Sequence, residues 1–187
     1  MSRRTNRRDL IIEEAAELFM AQGYNATSTR QIAEAAECTE AALYYHFKDG
    51  KRALFEAVVE ENLPDLLGLL DKCREATSIF ELVTSLGNIG AEGMRAYHRL
   101  QWIVAEYPKL SPDEQALVQN AFLTFHKELT RLFSAFRPDI ARARELAWIL
   151  ICALFGFVHT VIRLDLLPVA GMTQTDFLVK VGEMMDS

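Results

Sequence analysis

The chain has 187 residues, of which half are apolar and a quarter are charged, a composition typical of a globular protein rather than a disordered or fibrous one. Its formal net charge of −6 argues against nucleic-acid binding through overall positive charge, but it leaves room for a local basic footprint. Three cysteines at wide spacing exclude a complete disulfide framework and favour a reducing compartment, so we expect a cytoplasmic protein.

Two stretches of the sequence bear on targeting. Four arginines lie at positions 3, 4, 7 and 8, and no long apolar segment follows them before Glu13, so we expect no secretion signal. The most apolar run, residues 146–162, contains His159 and is shorter than the roughly 18–20 residues that a membrane span needs. We therefore expect a buried helix there and no membrane partner.

Helical periodicity dominates the chain, and no segment shows the sustained alternation of a strand. Apolar residues spaced four and seven apart predict a first helix that begins near Asn6 and stops at Gly23. Ser28, with Gln31 three residues later, fits a capping box that opens a second helix. Thr39 is suited to cap a third.

A longer fourth helix is predicted to start at Lys51, after the turn signal Asp49-Gly50, and we expect Pro64 to kink or interrupt it. Five more helices are predicted: residues 78–97, 100–106, 112–137 and 139–166, and a last one from Thr173. The sequence therefore predicts an all-α fold of about nine helices.

The two short helices on either side of residues 36–39 make a helix-turn-helix candidate, a motif that places its second helix in the major groove of DNA. Such a helix has to be short, capped and held by a few inward apolar residues. Residues 39–46 meet these requirements, because Leu43 faces inward while Ala41 and Ala42 allow close approach. The side chains suited to reach phosphates or base edges are Tyr44, Tyr45 and His46.

The stretch from Asp9 to Val59 resembles the N-terminal DNA-binding domain of the TetR (tetracycline-repressor) family of transcriptional regulators. The matching residues are Ile11, Ala15, Ala16, Leu18, Phe19, Gly23-Tyr24, Thr27-Ser28, Ile32-Ala33, Leu43-Tyr44-Tyr45-His46-Phe47, Lys51 and Leu54. The resemblance implies a three-helix DNA-binding domain at residues 1–52. It also implies a C-terminal helical bundle for ligand binding and dimerisation at residues 53–187, which match the family only in the number and order of helices.

The resemblance also implies contact between operator DNA and ten residues. They are Ser28 and Arg30 on the second helix, Thr39, Glu40, Ala41, Ala42, Tyr44, Tyr45 and His46 on or capping the recognition helix, and Lys51, which is expected to hold a phosphate at the start of the fourth helix. Packing against neighbouring helices is the alternative for Tyr44 and Tyr45. The N-terminal arginines either reach the DNA or form a solvated tail.

Two residues depart from the family pattern. Glu37 stands where members usually have glycine, and a positive φ there costs on the order of 1 kcal/mol. Glu40 directs an anion toward the DNA, where it either accepts a hydrogen bond from a cytosine amine or only stabilises the N-terminus of its helix.

Residues 146–162 are apolar on nearly every face, and a helix of that kind must be covered on all sides. One chain of this size covers only part of it, so we expect a second protomer to cover the rest, with burial inside one chain as the alternative. The resemblance implies a homodimer interface built by the last two helices. Its expected residues are Trp148, Cys152, Phe157, Phe177, Val181 and Met185.

By the same resemblance, the second domain binds a small effector inside the helical bundle. Aromatic residues with scattered polar groups suit a mainly apolar ligand oriented by a few hydrogen bonds. The candidate pocket residues are Met94, Tyr97, Trp102, Glu106, Phe122, Phe125, His126, Phe155 and His159. For each of them, ordinary core packing is the alternative.

The sequence therefore favours a dimeric transcriptional repressor that an effector releases from a palindromic operator, with an activator or an effector-independent regulator as variants. An enzyme is disfavoured, because the four histidines are dispersed and neither a metal-ligand spacing nor a phosphate-binding glycine loop is present. We expect no cofactor and no metal. A carrier of apolar ligands that only borrows this architecture is the remaining alternative.

Overall fold

The computed structural model describes residues 6–71, 73–86 and 91–186, apart from the side chains of residues 62–66 and 91–97. In these ranges the chain forms ten α-helices and no strand, which confirms the predicted all-α fold. The helices are α1 (Arg7–Gln22), α2 (Thr29–Ala35), α3 (Glu40–His46), α4 (Lys51–Asp71), α5 (Ile79–Ser85), α6 (Ala91–Glu106), α7 (Pro112–Ser134), α8 (Ile140–Phe157), α9 (Leu167–Ala170) and α10 (Gln174–Asp186).

The first three helices begin where the sequence predicts, and α2 and α3 do so at predicted caps. The side chain of Asn6 caps α1, Ser28 and Gln31 form a reciprocal capping box at α2, and Thr39 caps α3. Each cap gives a partner to a backbone N–H that has none inside the helix, and such a cap contributes about 1 kcal/mol. At its other end α1 stops at Gly23, which has a φ of +90°.

The chain divides into two compact units. One consists of Met1–Leu63 and His98–Ala121, and the other of Pro64–Tyr97 and Phe122–Ser187. The boundaries between them fall inside α4, α6 and α7. Each unit has its own apolar core, as burial of apolar surface requires.

The core of the first unit joins α1–α4 to residues from the segment 98–121. Phe19 of α1 is fully buried, and its ring stacks on that of Trp102 with a centroid distance of 5.7 Å. Ile103, Leu110 and Val118 are buried in the same cluster. The N-terminal helices therefore share one core with residues that lie far away in sequence.

In the second unit α10 packs chiefly against α5. Gly182 of α10 makes this approach close, because a Cβ built on it would lie 3.1 Å from the Phe80 ring and 3.4 Å from the Phe80 carbonyl oxygen. Leu178 and Met185 of α10 are buried one turn to either side. A side chain at residue 182 would thus require the Phe80 side chain to yield by a few tenths of an ångström.

The predicted break at Pro64 is absent. Helix α4 runs without interruption from Lys51 to Asp71. A proline removes one backbone donor and crowds the preceding turn, but the other backbone hydrogen bonds of a long helix keep it continuous. The expected interruption at Pro64 was therefore wrong, while the alternative, a kink, stays a prediction.

Other predicted helix boundaries also differ. The single helix predicted for residues 78–97 ends at Ser85, and α6 starts at Ala91 and continues to Glu106 through residues 98–100, where a boundary was predicted. His98 is exposed while Leu100 and Ile103 are buried, so His98 lies on the outer face of a continuous helix and does not end it.

The helix predicted for residues 139–166 is shorter at its C-terminal end. Helix α8 passes into one π-helical turn at Val158–Ile162 and stops before Asp165, which has a φ of +55°. Aspartate tolerates this left-handed conformation better than most residues, so it ends the helix, and the short α9 follows.

Among the described residues, one helix is long and apolar enough to cross a membrane by length and composition. It comprises Ile140–Ile162, with a mean hydropathy of 2.0, and a third of its most apolar 18 residues are buried. The sequence argument counted only the apolar run of residues 146–162, whereas the helix that contains this run has 23 residues. One such helix is weak evidence of a membrane span, since core helices of other proteins meet the same criteria.

Glu37 lies in the turn between α2 and α3 and has a φ of +51°. This is the left-handed region, in which the Cβ of a non-glycine residue crowds the following carbonyl oxygen at a cost of about 1–2 kcal/mol. The expected strain at this departure from the family pattern is therefore present.

Replacing Glu37 with glycine is expected to stabilise the protein. Compared with Glu37→Ala, which retains the strain, Glu37→Gly should raise the free energy of unfolding by about 0.5–1 kcal/mol, because the relief of strain exceeds the entropy that glycine loses on folding. Urea denaturation of both variants measures the difference. Equal stability of the two would show that the turn carries no such strain.

Candidate nucleic-acid interface

Helix α3 is held in place within the first unit by buried side chains and a tight turn. Leu43 is buried, as predicted, and so is Phe47. In the turn, the N–H of Cys38 donates to the carbonyl of Ala33 at 2.8 Å, and Glu37 supplies the left-handed residue. These contacts orient α3 with one face inward and leave the other face to solvent.

Most of the residues predicted to contact DNA lie on this solvent face. Tyr45 projects furthest, with 81% of its surface exposed. The exposed members of the predicted set are Ser28, Arg30, Thr39, Glu40, Ala41, Tyr44, Tyr45 and His46, whereas Ala42 and Lys51 are half-buried. The packing alternative does not apply to Tyr45, whose ring contacts the adjacent His46.

Tyr44 is fixed by residues that the sequence reasoning missed. Its hydroxyl lies 3.4 Å from the hydroxyl of Thr29, which in turn lies 3.5 Å from a carboxylate oxygen of Glu40. Its ring passes close to Gly50, where a Cβ would come within 3.0 Å of a ring carbon. Gly50 also has a φ of +58°, as the turn predicted at Asp49-Gly50 allows. The same turn packs against the ring of Tyr44.

Arg30 on α2 is paired with Glu34 across one helical turn, at 2.9 Å. The hydrogen bond and charge of Glu34, and then the charge of Glu40, raise the pKa of Arg30 above its ordinary value. Both side chains of the pair are exposed, and exposed pairs of this kind contribute little to stability.

Lys51 begins α4 and is held by the turn between α1 and α2. Its ammonium donates to the carbonyl of Tyr24 at 3.0 Å and to that of Asn25 at 3.4 Å, and it lies 4.6 Å from the centroid of the Tyr24 ring. An ammonium group has three donors, so one N–H remains beyond these two bonds. The contacts with Tyr24 and Asn25 carry no signal in the sequence.

Arg7 and Arg8 are bound within the protein and are not a solvated tail. The guanidinium of Arg7 donates to the carbonyl of Ala36 in the helix-turn-helix at 2.9 Å. That of Arg8 pairs with Glu61 of α4 at 3.1 Å and lies 5.4 Å from the centroid of the Phe47 ring. The arginines at positions 3 and 4 lie outside the described residues.

The candidate pocket residues fall into separate groups. In the second unit, Phe155 lies between Phe122 and His159, with ring centroid distances of 5.6 and 6.1 Å. His126 is buried and stacks on Trp148 at 4.2 Å. Phe125 packs against the core of the same unit.

The remaining pocket candidates are not part of this aromatic group. Trp102 packs in the core of the first unit, and Glu106 pairs with Lys109 there at 2.9 Å. Met94 and Tyr97 belong to α6, and their side chains lie outside the described residues. Side-chain type alone did not distinguish the two units.

The predicted interface residues also differ in exposure. Trp148 and Cys152 are exposed on one face of α8. Phe157 and Met185 are buried inside the chain, and Phe157 stacks on the half-buried Phe177 at 4.5 Å. Val181 is also half-buried. Sequence reasoning missed the exposed residues Ile149 and Met184.

The fold and this surface define a helix-turn-helix DNA-binding protein. Residues 11–58 match the sequence model of "Bacterial regulatory proteins, tetR family". The repressor KstR2 of Mycolicibacterium smegmatis is 30% identical over 151 residues, which cover 74% of this chain and 72% of that protein. The regulator QacR of Staphylococcus aureus is 41% identical over 58 residues, covering 30% of this chain and 31% of QacR.

A solved structure has the same fold as this chain. Salmonella enterica GusR superposes with a TM-score of 0.73 at 20% identity, covering 99% of this chain and 96% of GusR. The chain belongs to the TetR family, and it is a transcriptional regulator that binds DNA. Members of this family are normally not enzymes.

The contact between Gly50 and Tyr44 generates a stability prediction. Gly50→Ala is expected to lower the free energy of unfolding by about 1–3 kcal/mol, because it combines a positive φ with a clash against the Tyr44 ring. Urea denaturation measures the change.

The same substitution at Gly68 of α4 is the matched control. A Cβ there meets nothing within 4 Å, so Gly68→Ala should stabilise the helix by about 0.5–1 kcal/mol. The same sign of effect at both glycines would contradict the close approach at Gly50.

Proposed function

We propose that the protein is a dimeric repressor that binds a roughly palindromic operator and is released from it by a small, largely apolar effector. In this scheme residues 1–52 read the DNA, and residues 53–187 bind the effector and the second protomer. The observation that carries the DNA-binding part is the face of α3, where Tyr44, Tyr45 and His46 are exposed above buried Leu43 and Phe47.

The proposed DNA contacts follow from this face. Thr39, Glu40, Ala41 and Ala42 approach base edges at the start of α3, where small side chains permit close contact. Tyr44, Tyr45 and His46 reach the phosphates and neighbouring bases, as Ser28 and Arg30 do from α2. Arg30 exchanges its weak exposed pair with Glu34 for a phosphate.

The proposed phosphate contact of Lys51 uses its third N–H, since the first two are bound to the carbonyls of Tyr24 and Asn25. The free backbone amides in the first turn of α4 add a favourable dipole at the same place. Because two carbonyls hold the ammonium, little side-chain entropy is lost when it meets the phosphate.

A second protomer is proposed to cover the exposed face of α8. Trp148, Ile149 and Cys152 lie on this face, and Gly156, one turn further on, has open space above it. A two-fold interface is self-complementary, and it pairs two recognition helices with two half-sites. The other expected interface residues, Phe157, Phe177, Val181 and Met185, are buried or half-buried within the protomer.

The effector is proposed to bind at the aromatic group of the second unit. Phe122, Phe155 and His159 combine apolar surface with one hydrogen-bonding ring, and the π-helical turn that carries His159 is a feature often found at binding sites. His126 and Phe125 extend the group along α7. A mainly apolar molecule with a few hydrogen-bond acceptors or donors suits these residues.

The operator function is tested with DNA from upstream of the protein's own gene. The wild type should bind this fragment more tightly than a scrambled fragment, and Tyr45→Ala should weaken specific binding about tenfold or more, with little change in stability. Electrophoretic mobility shifts measure the binding, and in vitro transcription distinguishes repression from activation. Equal binding of both fragments by the wild type contradicts the proposal.

The dimer is tested with charged substitutions on α8. Ile149→Glu places a carboxylate in the proposed interface, so sedimentation at micromolar concentration should change from dimer to monomer. Ile140→Glu is the matched control. Ile140 is similarly exposed, 54% against 49%, and lies on the opposite side of the helix at 3.6 residues per turn, so it should leave the dimer intact.

A further inference from the structure

A buried hydrogen bond joins two parts of the first unit that the proposed function does not use. The hydroxyl of Tyr24, in the turn after α1, donates to a carboxylate oxygen of Glu114 in the first turn of α7, at 2.6 Å. The two residues are 90 positions apart in sequence. Only 7% of Tyr24 and 6% of Glu114 are exposed, so the bond is shielded from water.

Glu114 is held on its other side as well. Its second oxygen accepts from the backbone N–H of Ser111 at 2.8 Å and from the Ser111 hydroxyl at 2.7 Å. Burial by itself would raise the pKa of Glu114, but the hydrogen bonds from Tyr24 and Ser111 hold it below its ordinary value. Burial, together with Glu114, raises the pKa of Tyr24, so at neutral pH a protonated hydroxyl meets an ionised carboxylate.

The other end of Tyr24 contacts Lys51. The Lys51 ammonium lies 4.6 Å from the centroid of the Tyr24 ring and donates to the Tyr24 carbonyl at 3.0 Å. Tyr24 therefore touches Lys51 with both its ring and its backbone. A single residue lies between a buried carboxylate on α7 and the cation at the start of α4.

An ion pair also joins the starts of α4 and α7. Arg52, next to Lys51, pairs with Asp113, next to Glu114, at 3.1 Å. This pair is exposed and contributes little, so the buried Tyr24–Glu114 bond is the stronger constraint. Both contacts fix the first turn of α4 relative to the first turn of α7.

We propose that Tyr24 and Glu114 are positioning residues for DNA binding: Glu114 fixes the Tyr24 side chain, and Tyr24 holds the Lys51 ammonium where its third N–H meets a phosphate. The proposal rests on the phosphate contact of Lys51. It makes the first turn of α7 a determinant of DNA affinity, although neither Glu114 nor Ser111 is among the proposed DNA contacts. The competing role for the buried bond is stabilisation of the fold alone.

The experiment measures DNA affinity by fluorescence anisotropy over a range of salt concentrations. The affinity is measured on a promoter duplex and on an unrelated duplex of equal length. The slope of log affinity against log salt is negative, and each phosphate contact increases its magnitude by about 0.9, whichever sequence is bound. Loss of the Lys51 contact should therefore lower the magnitude of the slope by about one per protomer and weaken binding about fivefold to twentyfold.

The variants are Tyr24→Phe, Lys51→Met and the double substitution. Tyr24→Phe should lower both the affinity and the salt slope, and Lys51→Met should do the same. The double variant should bind like Lys51→Met alone, because Tyr24 acts through Lys51. Glu114→Gln, which keeps the shape of the side chain but removes its charge, should lie between the wild type and Tyr24→Phe and serves if Tyr24→Phe folds poorly.

Tyr107→Phe is the matched control. The hydroxyl of Tyr107 also takes part in a side-chain hydrogen bond within the first unit, with Gln119, but the contacts of Lys51 do not include it. This variant should leave the affinity and the salt slope unchanged. Urea denaturation of all variants separates changes in stability from changes in DNA contact.

Three results would overturn the proposal: an unchanged salt slope in Tyr24→Phe, an unchanged slope in Lys51→Met, or additive effects in the double variant. Failure of the proposed function is read separately. If the wild type does not prefer the promoter duplex, the operator hypothesis fails, while the slopes on the unrelated duplex still decide the role of Tyr24 and Glu114.

Discussion

The burial of Leu43 and Phe47 is the constraint on which the DNA-binding surface depends. Helix α3 has only seven residues, and isolated helices of that length are unstable in water, so intrinsic propensity cannot hold it in place. Two apolar side chains in the core of the first unit, together with the Thr39 cap, fix both its axis and its rotation. The exposure of Tyr44, Tyr45 and His46 follows from that rotation, because those positions occupy the remaining faces of the helix.

The sequence predicted the features that depend on neighbouring residues. The caps at Ser28 and Thr39 and the start of α1 near Asn6 were predicted correctly, because each depends on residues that are close together in sequence. The continuity of α4 through Pro64 was not, because the local rule for proline does not weigh the rest of a long helix. The end of α8 near Asp165 was also missed, since it depends on a backbone conformation that aspartate tolerates but does not require.

The residues of the proposed sites also divide into those that the sequence predicts and those that it does not. The outward face of α3 was predictable from helical periodicity and from the family resemblance, whereas the contacts that fix it were not. Tyr24 meets Glu114 across 90 positions, and Arg7 reaches Ala36, and neither pair has a pattern in the sequence. In α8 and α10, apolar character alone could not separate exposed Trp148 from buried Phe157 and Met185.

The close approach of α5 and α10 at Gly182 has a consequence for how the second unit can rearrange. A methyl group at that position would already require Phe80 to yield by a few tenths of an ångström, so the two helices pack there without room for an added side chain. A conformational change that preserves this contact has to move the two helices together, and the joints of such a motion then lie elsewhere in the chain.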